Sequence, residues 1–260
     1  MNANTQTAAP APLRIEHRGP VAWLTLDRPA RCNVLSAEAI GALKEALAAL
    51  AGDAATRVIV LAAEGKAFSA GHDLNEMGPA AGREELRALF TACSELMLQI
   101  RSQPQPVIAR VQGVATAAGC QLVAMCDLAV AASSARFAVS GINLGLFCST
   151  PAVALSRNVP QKAALEMLLT GDFIDAETAR ERGLVNRVVA PEALDSEIDT
   201  LALSIAAKSP AAIALGKRLF YRQRELPIAE AYAAACEAMA DNAVAPDARE
   251  GIARFTQRGR

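Results

Sequence analysis

Histidine is scarce. Only His17 and His72 occur, and no cluster of cysteine and histidine surrounds either, so the usual zinc-site pattern is excluded. None of the six cysteines stands in a CxxC pair, and in a chain of 260 residues they do not read as a disulfide framework. Free thiols in a reducing compartment are expected. Neither sign of charge is in excess: 26 Lys and Arg against 27 Asp and Glu leave −1. That balance gives no long-range pull toward nucleic acid or an anionic membrane, so any polyanion must be met by local basic groups. No run of 18 apolar residues occurs, and no membrane span is expected. Residues 1–12 hold two prolines, no arginine and no apolar stretch, which is the pattern of neither a secretory signal nor a transit peptide. A disordered tail over 1–12 and a cytoplasmic setting are expected.

What is abundant is apolar: 52% of the residues, in a chain long enough to bury a large core. Leu13 to Glu16 alternates, Gly19-Pro20 marks a turn, and Val21 to Leu26 follows, which predicts a hairpin. Ser36 and Glu38 open a helix with apolar positions at Ile40, Leu43, Leu47 and Leu50. Arg57 to Ala62 is short and apolar, as a buried parallel strand is. A loop over 64–78 leads to a long helix from Glu84 to Ser102. The unit then repeats: strand 107–111, a turn at Gly113, helix 117–125, then extended stretches at 127–131 and 137–139. Strand–turn–helix units in series imply an α/β fold with a mainly parallel sheet. Beyond Thr150 the texture is almost wholly helical, apart from one extended piece over 184–189. A core domain over 13–195 and a C-terminal helical region over 196–260 are expected.

Two segments carry chemistry. Phe68-Ser69-Ala70-Gly71-His72-Asp73-Leu74 places small residues after a strand, where backbone can approach a ligand closely. In the second, the strand 107–111 runs through Gly113 into Ala115-Thr116-Ala117-Ala118-Gly119-Cys120-Gln121, a helix opening on small residues. The first N–H groups of a helix lack internal partners and sit at the positive end of its dipole, so a developing oxyanion is stabilised there. Either segment alone is an ordinary packing solution. Together and in this order they are far more specific.

These segments resemble the two oxyanion loops of the enoyl-CoA hydratase/isomerase (crotonase) superfamily. The likeness runs from Trp23 to Arg258. Leu26-Asp27-Arg28-Pro29 with Asn33, Leu169-Thr170-Gly171-Asp172, Ala179 to Val185 and Arg249 to Arg258 are similar to its other signatures. Gly71 to Leu74, Ala115 to Gln121 and Gly145 to Pro151 look like the enoyl-CoA hydratase domain-containing paralogues of vertebrate mitochondria. The resemblance implies a ClpP-like crotonase fold, with repeated ββα units in a spiral core and C-terminal helices that assemble a homotrimer or a hexamer of paired trimers. It implies a lyase of fatty acid metabolism that takes an acyl-CoA thioester, with coenzyme A as part of the substrate and no separate cofactor or metal. The backbone N–H groups of His72 and Ala118 would form the oxyanion hole. Arg28, Arg31, Cys32, Lys66, Ala70, His72, Asp73 and Leu74 would line the coenzyme, with Phe255 and Arg258 approaching from a neighbour's last helix.

The chain departs from the family at the two glutamates that place water and move a proton. The first falls at Gln121 and the second at Gly141. Glutamine can orient a water but exchanges no proton near neutral pH, and glycine does neither. A positioned acid–base group contributes roughly 10²–10⁴ in rate and one oxyanion donor roughly 10²–10³. Loss of both carboxylates therefore removes most hydration while leaving enolate stabilisation. Two alternatives stay open: a non-catalytic acyl-CoA binder, and a decarboxylase or isomerase that uses His72. Cys120 and Cys148 are placed near the acyl chain as small buried thiols, and Asp127 as a structural cap or ion-pair partner.

Overall fold

The computed structural model describes residues 11–258, with the side chain of Arg258 outside the description. The expected tail over 1–12 thus falls almost entirely outside the described residues. Strands β1 (Leu13–Arg18) and β2 (Val21–Leu26) form the predicted hairpin, paired from Leu13↔Leu26 to Arg18↔Val21. Helix α1 (Ala37–Ala51) starts where Ser36 caps it, the hydroxyl accepting from Ala39 N–H at 3.2 Å.

A repeating unit follows. Strand β3 (Val58–Ala63), strand β4 (Ala67–Ser69) and helix α2 (Arg83–Ser102) make the first turn. Strands β5 (Val107–Val111) and β6 (Val114–Thr116) with helix α3 (Ala118–Met125) make the second. Strands β7 (Leu128–Ala132) and β8 (Arg136–Ala138) open the third. In each unit the longer strand joins a six-stranded sheet, ordered β1-β2-β3-β5-β7-β10, and the short one joins a four-stranded sheet, ordered β4-β6-β8-β9. All pairings between successive units are parallel. The chain is therefore a spiral of ββα units, as the resemblance implied. Sequence patterning read 64–78 as loop and the stretch after Gly113 as turn and helix. The three-residue strands β4 and β6 lie there, and they are too short to show a period of two.

The remaining elements are α4 (Ser149–Asn158), α5 (Gln161–Thr170), β9 (Ile174–Asp175), α6 (Ala176–Glu181), β10 (Arg187–Val189) and the helices α7 (Leu194–Ala206), α8 (Pro210–Gln223), α9 (Ile228–Val244) and α10 (Pro246–Arg258). The inner strands β2 and β3 of the larger sheet are buried on both faces, which is why they are continuously apolar. Ala22, Leu24, Ile59, Leu61 and Ala109 face α1 and α2; Val21, Trp23, Val58, Val60 and Ile108 face Leu194, Ile198 and Ala202 of α7. Thus α7, on the far side of the sheet, belongs to the packed body, whereas α8 and α9 contain no fully buried residue.

Candidate active site

The site forms where β4 and β6, adjacent in the smaller sheet, deliver their following residues to one place. After β4 the chain turns at Gly71, whose φ of +88° is a conformation that glycine adopts at no steric cost. A Cβ at Gly71 would lie 2.9 Å from the Ala117 methyl and 3.0 Å from Ala118 N. After β6 comes Ala117, at φ 50° and ψ −122°, then α3, with Ala118 as its first residue. Helix and loop meet so closely that a Cβ on Gly119 would sit 2.3 Å from the Ser69 carbonyl oxygen. Small residues in both segments are therefore a steric requirement. Among the described residues, no loop or cap carbonyl engages the N–H of His72 or of Ala118. The neighbouring N–H groups are occupied: Gly71 donates to Ser69 Oγ at 3.2 Å and Ala117 to the Ala138 carbonyl at 3.0 Å.

The His72 ring lies edge-on to Phe90, with centroids 5.4 Å apart. Its Nδ1 is 3.4 Å from the Leu35 carbonyl. A carbonyl only accepts, so Nδ1 carries the hydrogen and Nε2 a lone pair. That Nε2 is buried with no partner. Burial holds the ring's pKa below its ordinary value, so it is neutral at pH 7. Alongside Phe90, a groove of about 640 Å³ runs past Leu86, Thr91, Ser94 and Thr150.

Gln121 lies on the same face of α3 as Ala118, three residues on, and helix side chains lean toward the helix N-terminus. It is 3% exposed, and its Oε1 has no partner. Beside it, Thr116 Oγ1 and Ser140 Oγ are 2.8 Å apart, which draws the segment after β8 to the opening of α3. Gly141 is buried there, and a Cβ on it would meet both Cys148 Sγ and the Leu146 carbonyl oxygen at 2.7 Å. The position read as that of the family's second glutamate is thus closed by its neighbours. Among the described residues all six cysteines are free thiols, and no group of three His, Cys, Asp or Glu side chains gathers to hold a metal ion.

The expected coenzyme-lining residues split into groups. Cys32 and Asn33 take positive φ (51° and 50°), and Asn33, buried, ties the loop together: its Oδ1 accepts from Arg28 N at 2.9 Å, and its Nδ2 donates to the Glu64 and Ala67 carbonyls, each at 2.8 Å. Ala70 N donates to the Cys32 carbonyl at 3.0 Å. This brings Arg28, Arg31, Cys32, Lys66, Ala70 and Asp73 to one edge of the site. Arg28 makes a bidentate pair with Glu38, both contacts 2.7 Å, and Arg31 pairs with the buried Asp73, which also takes the Asn75 N–H at 3.0 Å. Lys66 and Leu74 are exposed. Phe255 projects from α10 and is 81% exposed; the Arg258 side chain lies outside the described residues. Asp127 is an ion-pair partner, as read, and its partner Lys217 stands 90 residues away, beyond the reach of local pattern. Its carboxylate receives Lys217 Nζ at 2.6 Å, Tyr221 OH at 2.8 Å and Val107 N–H at 2.7 Å. The anchoring role of Asn33 was likewise invisible, since only its left-handed turn and its three backbone partners reveal it.

Comparison with known proteins agrees with this geometry. A profile of the enoyl-CoA hydratase/isomerase family matches residues 16–260. A rat protein, the mitochondrial enoyl-CoA hydratase domain-containing protein 3, is 47% identical over 237 residues, covering 91% of this chain and 79% of its own. The crystal structure of its human counterpart superposes with a TM-score of 0.93 at 43% identity, covering 95% of this chain and 98% of that one. That of an enoyl-CoA hydratase from Mycobacterium smegmatis gives 0.93 at 57% identity, with 95% and 96% covered. Vertebrate relatives from rat, mouse, frog, zebrafish and human are named as mitochondrial, and this overturns the cytoplasmic expectation. The composition of a dozen residues says nothing of the compartment. By sequence, fold and the layout of its two loops, the chain belongs to the enoyl-CoA hydratase/isomerase family.

Proposed function

We propose that this chain binds an acyl-CoA thioester and stabilises its enolate between the N–H groups of His72 and Ala118. One observation carries this reading: Gly71 lies against the first residue of α3, and the N–H on either side of that contact is not taken by a loop or cap carbonyl. Two such donors in a water-poor site lower the barrier to enolate formation, each by roughly 10²–10³ in rate. Lys66 is an exposed cation for a coenzyme phosphate, with Arg31 beside it once its pairing to Asp73 is shared. Phe255 and Arg258 reach the coenzyme of a neighbouring chain, and the exposed apolar faces of α8–α10 close a homotrimer or a hexamer. The nominal family reaction, hydration of an enoyl-CoA, is strongly attenuated, because Gln121 and Gly141 supply no carboxylate.

Purified protein assayed against enoyl- and malonyl-type thioesters tests this. Turnover is expected to fall at least 10²-fold in Ala118→Pro, which lacks that N–H and puts proline where helices tolerate it. Turnover equal in the two proteins would refute the reading. The closure at Gly141 favours a second reading, a non-catalytic acyl-CoA binder, which predicts calorimetric binding with no turnover on any substrate. The unpartnered His72 Nε2 supports a third, decarboxylation assisted by the ring; there His72→Ala abolishes carbon dioxide release and leaves affinity unchanged.

A further inference from the structure

An enolate held by two N–H groups turns over only if a proton reaches its α-carbon. The groups around the opening of α3 leave few sources. Asp73 is engaged by Arg31 and Asn75. Asp127 lies beyond the other end of α3, held by Lys217 and Tyr221. The His72 Nδ1 hydrogen faces the Leu35 carbonyl and Nε2 has none to give. The Thr116 and Ser140 hydroxyls face each other, and an alcohol is a far weaker acid than a thiol. What remains is sulfur. Cys148, the residue that precedes α4, packs against Gly141, whose neighbour Ser140 bonds Thr116 just ahead of α3, and Cys120 lies on the first turn of α3. Cys120 is wholly buried, whereas Cys148 keeps 7% of its surface. Burial raises the Cys148 thiol's pKa, so it carries its proton at pH 7, and the sulfur lies directly over the Gly141 backbone. An independent sign that this pocket expects a ligand is Gln121, almost fully buried and leaning toward the same helix end with its Oε1 unpartnered.

We propose that the Cys148 thiol is the proton donor to the α-carbon of the bound thioester enolate, with Gln121 Oε1 accepting a hydrogen bond from the ligand or its water. The proposal rests on the enolate reading above. In the step, the Sγ–H bond breaks and its proton passes to the α-carbon. The enolate electron pair becomes the new C–H bond, and the thioester carbonyl is restored. The thiolate left behind regains a proton from water. By microscopic reversibility the same sulfur, as thiolate, removes an α-proton in the opposite direction.

The test is exchange of the α-protons of butyryl-CoA in deuterium oxide, followed by proton NMR with the full-length protein. Wild type is expected to catalyse exchange, and Cys148→Ser, which keeps the size but not the acidity, to lower it at least 10²-fold. Calorimetric affinity for butyryl-CoA should stay within about threefold, which separates lost chemistry from lost binding. Cys148→Ala guards against a misplaced hydroxyl and should behave the same. Exchange in both variants within threefold of wild type overturns the proposal. If Ala118→Pro still abolishes exchange in that case, the enolate reading stands and only the assignment of the acid falls. No exchange by wild type overturns both.

Discussion

At the level of single residues, the site is built by backbone that side chains would ordinarily forbid. Ala117 holds φ 50° with ψ −122°, a region left almost entirely to glycine. Such strain costs about 1–3 kcal/mol, and glycine would relieve it at an entropic cost of about 0.5–1 kcal/mol. Ala117→Gly is therefore expected to stabilise the fold by about 1 kcal/mol in urea unfolding. Gly141 is the converse case. A methyl there meets sulfur and a carbonyl oxygen at 2.7 Å, so Gly141→Ala should destabilise by about 1–3 kcal/mol through overpacking. His72 sets a pH dependence. Its folded-state pKa lies below the ordinary 6.5 because burial disfavours the charged ring. The unfolded chain thus takes up the proton first as pH falls, and stability is full above about pH 6.5 and lost as pH drops through the folded pKa. Unfolding free energy measured from pH 7.5 to 5 should decline, and His72→Gln should remove that part of the slope.

At the level of elements, α8 shows how a polar contact can seat a helix that buries no whole residue. Lys217 Nζ, with its side chain 7% exposed, donates to Asp127 Oδ2 at 2.6 Å and to the Ile100 and Gln105 carbonyls at 3.0 Å. Removing one partner of a buried pair leaves an uncompensated charge, so Lys217→Met should cost about 3–5 kcal/mol. The double variant Asp127→Asn/Lys217→Met should lose less than the two single losses added together, and a denaturant double-mutant cycle measures the difference. Elements with long apolar runs or strong caps were legible: the hairpin 13–26, α1 behind Ser36, and α2 before Pro104. The second sheet was not, because β4, β6 and β9 are two or three residues long and are fixed by what they lie against. The close approach of the two small-residue segments was legible because its cause is local, small residues at a strand end and a helix start. Cys148 filling the space at Gly141 was not, since the six intervening residues fold back through a short 3-10 turn that no period announces.

At the level of the whole molecule, the two ends of the chain obey different rules. Among the described residues the fully buried apolar ones all lie in the chain up to α7; α8 and α9 contain none. Met239 is 76% exposed and Phe255 81%, with Ile228, Tyr232 and Ile252 also exposed. Apolar surface of that extent on a single chain marks a surface meant for protein contact. If copies of this chain cover it, light scattering should give a mass of at least three times 27.1 kDa, and Met239→Glu, which places a charge in the contact, should shift it toward the single chain. Phe255 allows a finer test. As a coenzyme contact donated by a neighbour, Phe255→Ala should weaken butyryl-CoA binding roughly tenfold, the loss of one packed aromatic anchor, without changing the mass. As a plain packing residue between chains, the same substitution would lower the mass, and affinity would fall only as the assembly did. Titrating affinity and mass on one sample decides between the two roles, because only the first separates binding from assembly.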